Sequence, residues 1–399
     1  MSNVIDIKCT GKEPPKDDGE YIFLDLSEAR DVGDFYRIIQ EYTDLYDDDG
    51  LDNITSSSER KSGTLSLVED SGESHKPKDI MAKLDEHIIG QESVKKIISV
   101  AVYNHYKRIN NKSDVALKKS NVMLVGPTGS GKTLFAQTIA KTLNVPLAIA
   151  DATSLTEAGY VGEDVESILQ KLFTAADADM EMAEKGIIYI DEIDKIRCRD
   201  IANDKKDVSG EGVQQALLKL IEGSEATFKV GTGHNAQQMT MDTSNILFIV
   251  GGAFAGIEQT IEVSKEPEAN GIGFSATVTS PSKRKKPKVK TKDITLDDLK
   301  NFGMIPELMG RIPTIAKLEA LDAKALRRIL TEPKDSIVKH YEEMFRLDGS
   351  TIEFSDKTLK QVAKKALKNG TGARGLQTIL EEKLMDLMFE AAPDQNYII

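Results

Sequence analysis

The segment 126–133, with the sequence GPTGSGKT, constrains the fold of this chain more than any other stretch. It fits the pattern G-x-x-x-x-G-K-[ST], whose backbone wraps the phosphates of a nucleotide. The apolar run 121–125 before it predicts a buried parallel strand, and the segment 134–143 after it predicts a helix. This order of strand, loop and helix predicts an α/β domain that binds a mononucleotide.

This segment, called the phosphate loop below, contains the residue types that such a site requires. Its glycines let backbone N–H groups approach a phosphate without a Cβ in the way. Lys132 supplies a positive charge to the β- and γ-phosphates, Thr133 supplies a hydroxyl to Mg²⁺, and the positive end of the next helix faces the phosphates. The alternative is an ordinary glycine-rich turn. The residues predicted to contact ATP here are Gly126, Pro127, Thr128, Gly129, Ser130, Gly131, Lys132, Thr133 and Leu134.

A second apolar run, residues 187–190, ends in Asp191 and Glu192. This places two carboxylates at the carboxyl edge of the predicted sheet, where open α/β sheets bind their ligands. We expect Asp191 to hold Mg²⁺ through a water and Glu192 to orient or deprotonate the attacking water. Acidic pairs after a strand also serve as helix caps, so this pattern gains its meaning from the phosphate loop upstream. Together the two motifs predict ATP hydrolysis with Mg²⁺.

Composition narrows the class of protein. The 399 residues are 40% hydrophobic and 29% charged, and no stretch approaches the roughly 18 apolar residues of a membrane span, so we expect a cytoplasmic protein without a membrane partner. Cys9 and Cys198 are too few and too far apart for a zinc site. The net charge of −13, with 14 Asp/Glu against 5 Lys/Arg in residues 1–50, does not indicate general nucleic-acid affinity. A basic run at 282–292 reads as a solvated loop, with a nucleic-acid patch as the alternative.

Changes in composition along the chain predict four parts. Residues 1–50 predict a small acidic module, and residues 51–76 are polar and predict a flexible linker. Residues 77–318 predict the α/β ATPase domain with its parallel sheet. Residues 319–399 predict a separate, mostly helical lid domain.

Shorter patterns predict local structure around these parts. Ile88–Ile89 predicts an extended piece upstream of the phosphate loop, where a base-binding element or simple helix packing would fit. Residues 208–223 predict a glycine-hinged turn that runs into a helix, and Arg311 falls in a predicted tight turn ahead of an edge strand. Residues 323–345 predict one helix, and Arg374 at the start of the last helix is placed to reach a phosphate.

The ordered set of motifs resembles the ClpX family of AAA+ ATPases from about residue 77 to residue 390. The segments that carry the resemblance are HIIGQESVKKIISVAVYNHYKR, GPTGSGKT, AGYVGEDVE, DVSGEGVQQALLKLIEG, GGAFAG, GIGF, IPELMGR and TGARGL. The resemblance implies an AAA+ P-loop domain with a C-terminal helical lid. It also implies an ATPase that assembles as a homo-hexamer and drives protein unfolding.

The resemblance also assigns roles to residues around the nucleotide. Glu192 keeps its catalytic role, and Arg311 corresponds to the arginine finger offered to the neighbouring subunit. Arg374 corresponds to the second sensor, which reports the state of the nucleotide to the lid. The segment that corresponds to the adenine pocket consists of Ile88, Ile89, Gly90 and Gln91.

Two further segments acquire roles only through the resemblance. Tyr160 and Val161, between Gly159 and Gly162, correspond to the pore loop that grips an unfolded or tagged polypeptide. The sequence alone favours an ordinary turn there. Ile272, Gly273 and Phe274 correspond to the tripeptide by which the family docks onto a ClpP-type peptidase.

The chain departs from the family pattern in three places. The family usually carries an N-terminal zinc domain with four cysteines, and here an acidic module stands in its place, where it could bind substrates or an adaptor. A basic pore-entrance loop corresponds to residues 230–236, which retain only His234. Glycines follow the strand 246–250 where many AAA+ proteins place a polar first sensor, so no residue is assigned to that role.

We therefore expect an ATP-dependent unfoldase and translocase that threads proteins through a hexamer pore to a peptidase. A remodelling chaperone that works without a peptidase is the alternative from a different class. A nucleic-acid motor that uses the basic residues 283–292 is a further alternative, which the acidity of the chain disfavours.

Overall fold

The computed structural model of the chain describes residues 76–111, 115, 117–156, 163–198, 208–231, 237–257, 294–390 and 395–399. Several predictions fall outside these residues. They concern the acidic module, the linker up to residue 75, the pore residues Tyr160 and Val161, His234, the docking tripeptide 272–274 and the basic run 282–292.

The described residues form α-helices and β-strands that largely alternate through the first part of the chain. The strands are β1 Val122–Val125, β2 Leu147–Asp151, β3 Leu155–Thr156, β4 Glu163–Asp164, β5 Ile187–Asp191, β6 Glu225–Val230, β7 Gln237–Asp242, β8 Leu247–Gly252, β9 Thr314–Lys317, β10 Thr351–Glu353 and β11 Asn396–Ile398. The helices are α1 Pro77–His87, α2 Glu92–Ile109, α3 Lys132–Leu143, α4 Ser167–Ala175, α5 Met180–Ala183, α6 Val208–Glu222, α7 Leu296–Asn301, α8 Pro306–Arg311, α9 Ala323–Thr331, α10 Ile337–Leu347, α11 Asp356–Asn369 and α12 Arg374–Glu390.

A five-stranded parallel sheet with the order β2-β5-β8-β1-β9 organises the first part of the chain. Strands β1 and β8 are buried along their whole length, which explains why their sequences are continuous apolar runs rather than alternating ones. Strand β9 lies at one edge, as the sequence predicted. The predicted α/β class with a parallel sheet is confirmed.

The order of the strands brings the predicted motifs to one edge of the sheet. The phosphate loop leaves the carboxyl end of β1, and Asp191 ends β5, which lies two strands away with β8 between them. The backbone N–H of Gly126 donates to the carbonyl of Gly252 at the end of β8, with a distance of 3.1 Å. Open α/β sheets bind ligands outside such carboxyl ends.

The C-terminal part is a helical region with its own apolar core. Helices α9 to α12 bury a cluster that includes Leu326, Tyr341, Val362 and Leu380. The single helix predicted over 323–345 is wrong, because the chain forms two helices there. Pro333 follows the first of them, and it has no N–H to continue the helical hydrogen bonds.

Two other local predictions also require correction. Arg311 ends helix α8 rather than lying in a tight turn, and Pro306 at the start of this helix has the φ angle that a first helical turn requires. Helix α6 already begins at Val208, so Gly210 is not a hinge. A Cβ on Gly210 would lie 2.8 Å from the carbonyl oxygen of Ile196, so this glycine permits close packing.

The parts of the chain that the structure describes contain no helix long and apolar enough to cross a membrane.

Candidate functional site

The phosphate loop adopts the backbone that its glycines make possible. Gly129 and Gly131 have φ angles of 76° and 97°, in the left-handed region that other residues rarely occupy. The ammonium of Lys132 donates to the carbonyl oxygens of Gly126 and Pro127, at 2.8 and 3.2 Å. The side chain of Lys132 thus lies against its own loop, at the N-terminus of helix α3.

Burial shifts the pKa of Lys132 downward. The side chain is only 8% exposed, and desolvation is the main cause of the lowered pKa, to which the charge of Arg374 adds. The carboxylates of Asp191, Asp194 and Glu192 oppose the shift. Phosphate groups bound nearby would act in the same direction as these carboxylates and favour the charged lysine.

The phosphate loop contacts the lid directly. The backbone N–H of Ala373 donates to the carbonyl of Gly129 at 3.2 Å. A Cβ on Gly129 would lie 2.6 Å from the carbonyl oxygen of Thr371 and 3.1 Å from the Cα of Gly372, so only glycine fits. The turn that begins the last lid helix therefore rests on the loop that would hold the phosphates.

The predicted magnesium ligands lie side by side. The hydroxyl of Thr133 donates to Oδ2 of Asp191 at 3.0 Å, and the backbone N–H of Glu192 donates to Oδ1 at 2.9 Å. Glu192 has a φ angle of 56°, which turns the chain sharply at the end of β5.

This arrangement suits a magnesium ion that arrives with a nucleotide. Because the Thr133 hydroxyl donates its hydrogen bond to Asp191, the lone pairs of its oxygen are left for a cation. Mg²⁺ prefers oxygen ligands and usually binds through one or two protein groups together with waters and phosphates. Among the described residues no group of three or more His, Cys, Asp or Glu side chains could hold a metal ion by itself.

A cavity of about 330 Å³ joins these groups at the carboxyl edge of the sheet. Nine of its lining residues were predicted from the sequence. They are Thr128, Gly129, Gly131, Lys132, Thr133, Leu134, Asp191, Glu192 and Arg374. The wall combines cations that suit phosphate oxygens with carboxylates that suit a metal ion.

Sequence reasoning missed five lining residues. They are Gln137, Asp194, Lys195, Ala253 and Ala373. Gln137 lies one helical turn after Thr133, so the helix period could have found it. Asp194 is buried and its Oδ1 accepts the backbone N–H of Ala253 at 3.0 Å, a contact between segments that are distant in sequence.

Other predicted residues lie away from this cavity. Gly126, Pro127 and Ser130 belong to the phosphate loop but are not among the described residues that line the cavity. Ile88 and Ile89 are buried at 5% and 8% exposure and do not line these walls either.

Two more predicted residues, Arg311 and Gln91, make contacts with segments that are distant in the sequence. The Nε of Arg311 donates to Glu222 at 2.9 Å, outside the cavity. The side-chain amide of Gln91 forms two hydrogen bonds with the main chain of Glu319, at 2.8 and 2.9 Å. The segment that precedes the phosphate loop is therefore attached to the chain just after β9.

One buried tyrosine at the site carried no prediction. Tyr189 lies two residues before Asp191 on β5 and is fully buried. Burial is the main cause of its raised pKa, and the charge of Asp191 adds to it, so the phenol stays protonated. The tyrosine stood within an apolar run, and this position gave no signal that its hydroxyl reaches the site.

Comparison with known proteins identifies the family. Residues 117–315 match the family model of the AAA domain (Cdc48 subfamily), and residues 321–397 match that of the C-terminal, D2-small domain of ClpB protein. The ATP-dependent Clp protease ATP-binding subunit ClpX of Treponema denticola is 49% identical over 337 residues, which cover 82% of this chain and 80% of that protein. The chain belongs to the ClpX family of AAA+ ATPases.

A second relative supports the same membership. The ATP-dependent Clp protease ATP-binding subunit ClpX 3 of Methylococcus capsulatus is 46% identical over 349 residues, which cover 83% of this chain and 80% of that protein. The resemblance that the motifs indicated is confirmed. As a ClpX-family AAA+ protein, the chain binds a nucleotide and hydrolyses ATP.

Proposed function

We propose that the protein is an ATP-dependent unfoldase and translocase that threads polypeptides through the pore of a homo-hexamer into a ClpP-type peptidase. The observation that carries this proposal is the cavity in which Lys132, Thr133, Asp191 and Glu192 meet the lid residue Arg374. The names of the two relatives, which describe ATP-binding subunits of a Clp protease, support the peptidase as partner.

The side chains of the cavity would each have a separate role in ATP hydrolysis. Lys132 would leave the carbonyls of Gly126 and Pro127 and bind the β- and γ-phosphates, where its charge is better paired. Thr133 and Asp191 would hold Mg²⁺, which neutralises phosphate charge when it is bound. Glu192 would accept a proton from the attacking water or orient it.

Arg311 would act on the nucleotide of a neighbouring subunit. Its side chain lies outside the cavity of its own chain and is paired with Glu222, so it is available at the surface for another copy. An arginine supplied to the γ-phosphate in this way raises the rate of phosphoryl transfer by about 10³–10⁵. The proposal therefore requires a ring of identical subunits.

The lid would turn hydrolysis into movement. Arg374 lines the cavity, and Ala373 donates to the carbonyl of Gly129, so a change at the phosphates reaches the lid through two adjacent residues. Tyr160 and Val161 would transmit this motion to a polypeptide in the pore. Ile272, Gly273 and Phe274 would dock onto the peptidase.

Replacing Glu192 by Gln tests the hydrolytic assignment. The variant E192Q keeps the shape of the side chain and loses its basicity, so we expect ATP to bind normally and turnover to stop. The matched control is E353Q, which makes the same change at the exposed side chain of Glu353 on strand β10. A normal ATPase rate in E192Q would remove Glu192 from the mechanism.

Deleting Ile272–Gly273–Phe274 separates the two functional classes. We expect the deletion to abolish degradation of a folded test protein by a ClpP-type peptidase and to leave ATP-dependent unfolding intact. Unchanged degradation would refute the docking role. Unfolding by the wild type without any stimulation of a peptidase would favour the remodelling chaperone.

A further inference from the structure

The side chain of Tyr189 occupies the space beside the neighbouring strand at the metal site. Tyr189 and Asp191 alternate on β5 and therefore point to the same face of the sheet. A Cβ built on Gly251 of β8 would lie 2.2 Å from the Tyr189 hydroxyl oxygen and 2.9 Å from its Cζ. The absence of a side chain at Gly251 is thus what allows the phenol to lie there.

The hydroxyl of Tyr189 is a buried donor without a complete set of partners. Within the described part of the chain it makes no hydrogen bond of normal length and angle, although Thr133 and Asp191 both lie close enough to interact with it. A buried hydroxyl that stays unpaired costs about 1–3 kcal/mol, and such groups in native proteins usually have a partner or a role. These two neighbours, Thr133 and Asp191, are also the groups that would hold Mg²⁺.

The carboxylate of Asp191 has the capacity to accept one more hydrogen bond. Its Oδ2 accepts from Thr133 and its Oδ1 from the backbone of Glu192. Because each carboxylate oxygen can accept two hydrogen bonds, a phenol beside it can donate without displacing either contact. Such a donor would fix the orientation in which Asp191 meets a metal-bound water.

We propose that Tyr189 is a positioning residue for the metal site: its hydroxyl donates a hydrogen bond to the Asp191 carboxylate when Mg²⁺ and a nucleotide are bound. This inference rests on the proposed Mg²⁺-dependent ATP site. It also accounts for the glycine at position 251 near the end of β8, where no polar first sensor could be assigned. Tyr189 reaches the same edge of the sheet from the neighbouring strand and requires glycine at position 251.

The test measures metal binding without turnover. The full-length protein is mixed with a non-hydrolysable ATP analogue and titrated with Mn²⁺, whose free and bound forms are separated by electron paramagnetic resonance. We expect Y189F to bind Mn²⁺ about tenfold more weakly than the wild type, the loss that accompanies one hydrogen bond to a charged group. Binding of the analogue without metal should be unchanged.

Two further variants make the result specific. Y106F removes the hydroxyl of another fully buried tyrosine, which donates to the carbonyl of Lys185 away from the cavity, and should bind Mn²⁺ like the wild type. G251A keeps the phenol but displaces it, because the new Cβ would meet the hydroxyl at 2.2 Å. We expect G251A to lose Mn²⁺ affinity as Y189F does, so the test survives if Y189F does not fold.

The outcomes separate this inference from the proposed function. Mn²⁺ affinity within twofold of the wild type in both Y189F and G251A would overturn the role of Tyr189 alone. An equal loss in Y106F, or an equal loss of metal-free analogue binding, would also overturn it by indicating a general structural effect. Failure of the wild type to bind Mn²⁺ with the analogue would overturn the metal site itself.

Discussion

A buried histidine makes the stability of the fold depend on pH. His105 of helix α2 is fully buried, and its Nε2 lies 3.0 Å from the carbonyl oxygen of Asn245. Its Nδ1 has no partner among the described residues. Burial is the main cause that lowers the pKa of His105 to about 3, and the charges of Arg108 and Lys119 lower it further.

The size of the effect follows from the difference between the folded and unfolded pKa values. The unfolded chain takes up a proton on this histidine near pH 6.5, whereas the folded chain resists it until about pH 3. The stabilisation is therefore complete above pH 6.5 and is lost as the pH falls from 6.5 towards 3. Between pH 7.5 and pH 5.0 His105 should remove about 2 kcal/mol from the free energy of unfolding.

Urea unfolding of the nucleotide-free protein at pH 7.5 and pH 5.0 measures this loss. The variant H105Q cannot titrate, so we expect it to lose about 2 kcal/mol less than the wild type between the two pH values. The matched control is H340Q. His340 is exposed and packs edge to face on Tyr341, as His105 does on Tyr106, so this variant should follow the wild type.

Two results would refute this reasoning. One is an equal loss of stability in H105Q and in the wild type. The other is an imidazole signal of His105 in nuclear magnetic resonance that titrates near pH 6.5 in the folded protein, since this would place the pKa where an exposed histidine has it.

Further predictions follow from three contacts that join distant parts of the chain. G129A should lower the free energy of unfolding more than G131A. Both variants introduce about 1–2 kcal/mol of left-handed strain, but only the Cβ at position 129 meets the lid carbonyl of Thr371. Equal effects of the two variants in thermal unfolding would contradict the lid contact. Q91A should lower the free energy of unfolding in urea by about 1–3 kcal/mol, because it removes two hydrogen bonds. E319A should retain both, since they involve the main chain of Glu319, and a larger loss in E319A would argue against the importance of these hydrogen bonds. E222Q should change the free energy of unfolding by less than about 1 kcal/mol, because the ion pair of Glu222 with Arg311 is largely exposed. R311A should bind ATP and fail to hydrolyse it, and normal turnover in an ATPase assay would contradict this prediction.

The sequence by itself determined the parts of the site that are local in the chain. The glycines, lysine and threonine of the phosphate loop lie within eight residues, between a buried strand and a helix, so their pattern specifies the backbone that they form. The same is true of Asp191 and Glu192, which follow directly from a buried strand. Local propensity and hydrophobic period decide such segments, and they also predicted the parallel sheet.

Local patterns failed where a single residue interrupts a period. The predicted helix 323–345 continued through Pro333 because the apolar residues on both sides keep the helical spacing. Gly210 looked like a hinge because glycine is usually a breaker, yet it lies within helix α6 where the chain passes close to Ile196.

Only the tertiary structure decided which residues distant in the sequence meet. The contact between Gly129 and Thr371, the fit of Tyr189 against Gly251 and the pairing of Arg311 with Glu222 join residues that lie from 62 to 242 positions apart. No local period encodes such contacts, because they depend on the order of the strands and on where the lid packs. The sequence therefore specifies the residues of the phosphate loop, and the packed fold specifies which distant side chains lie against them.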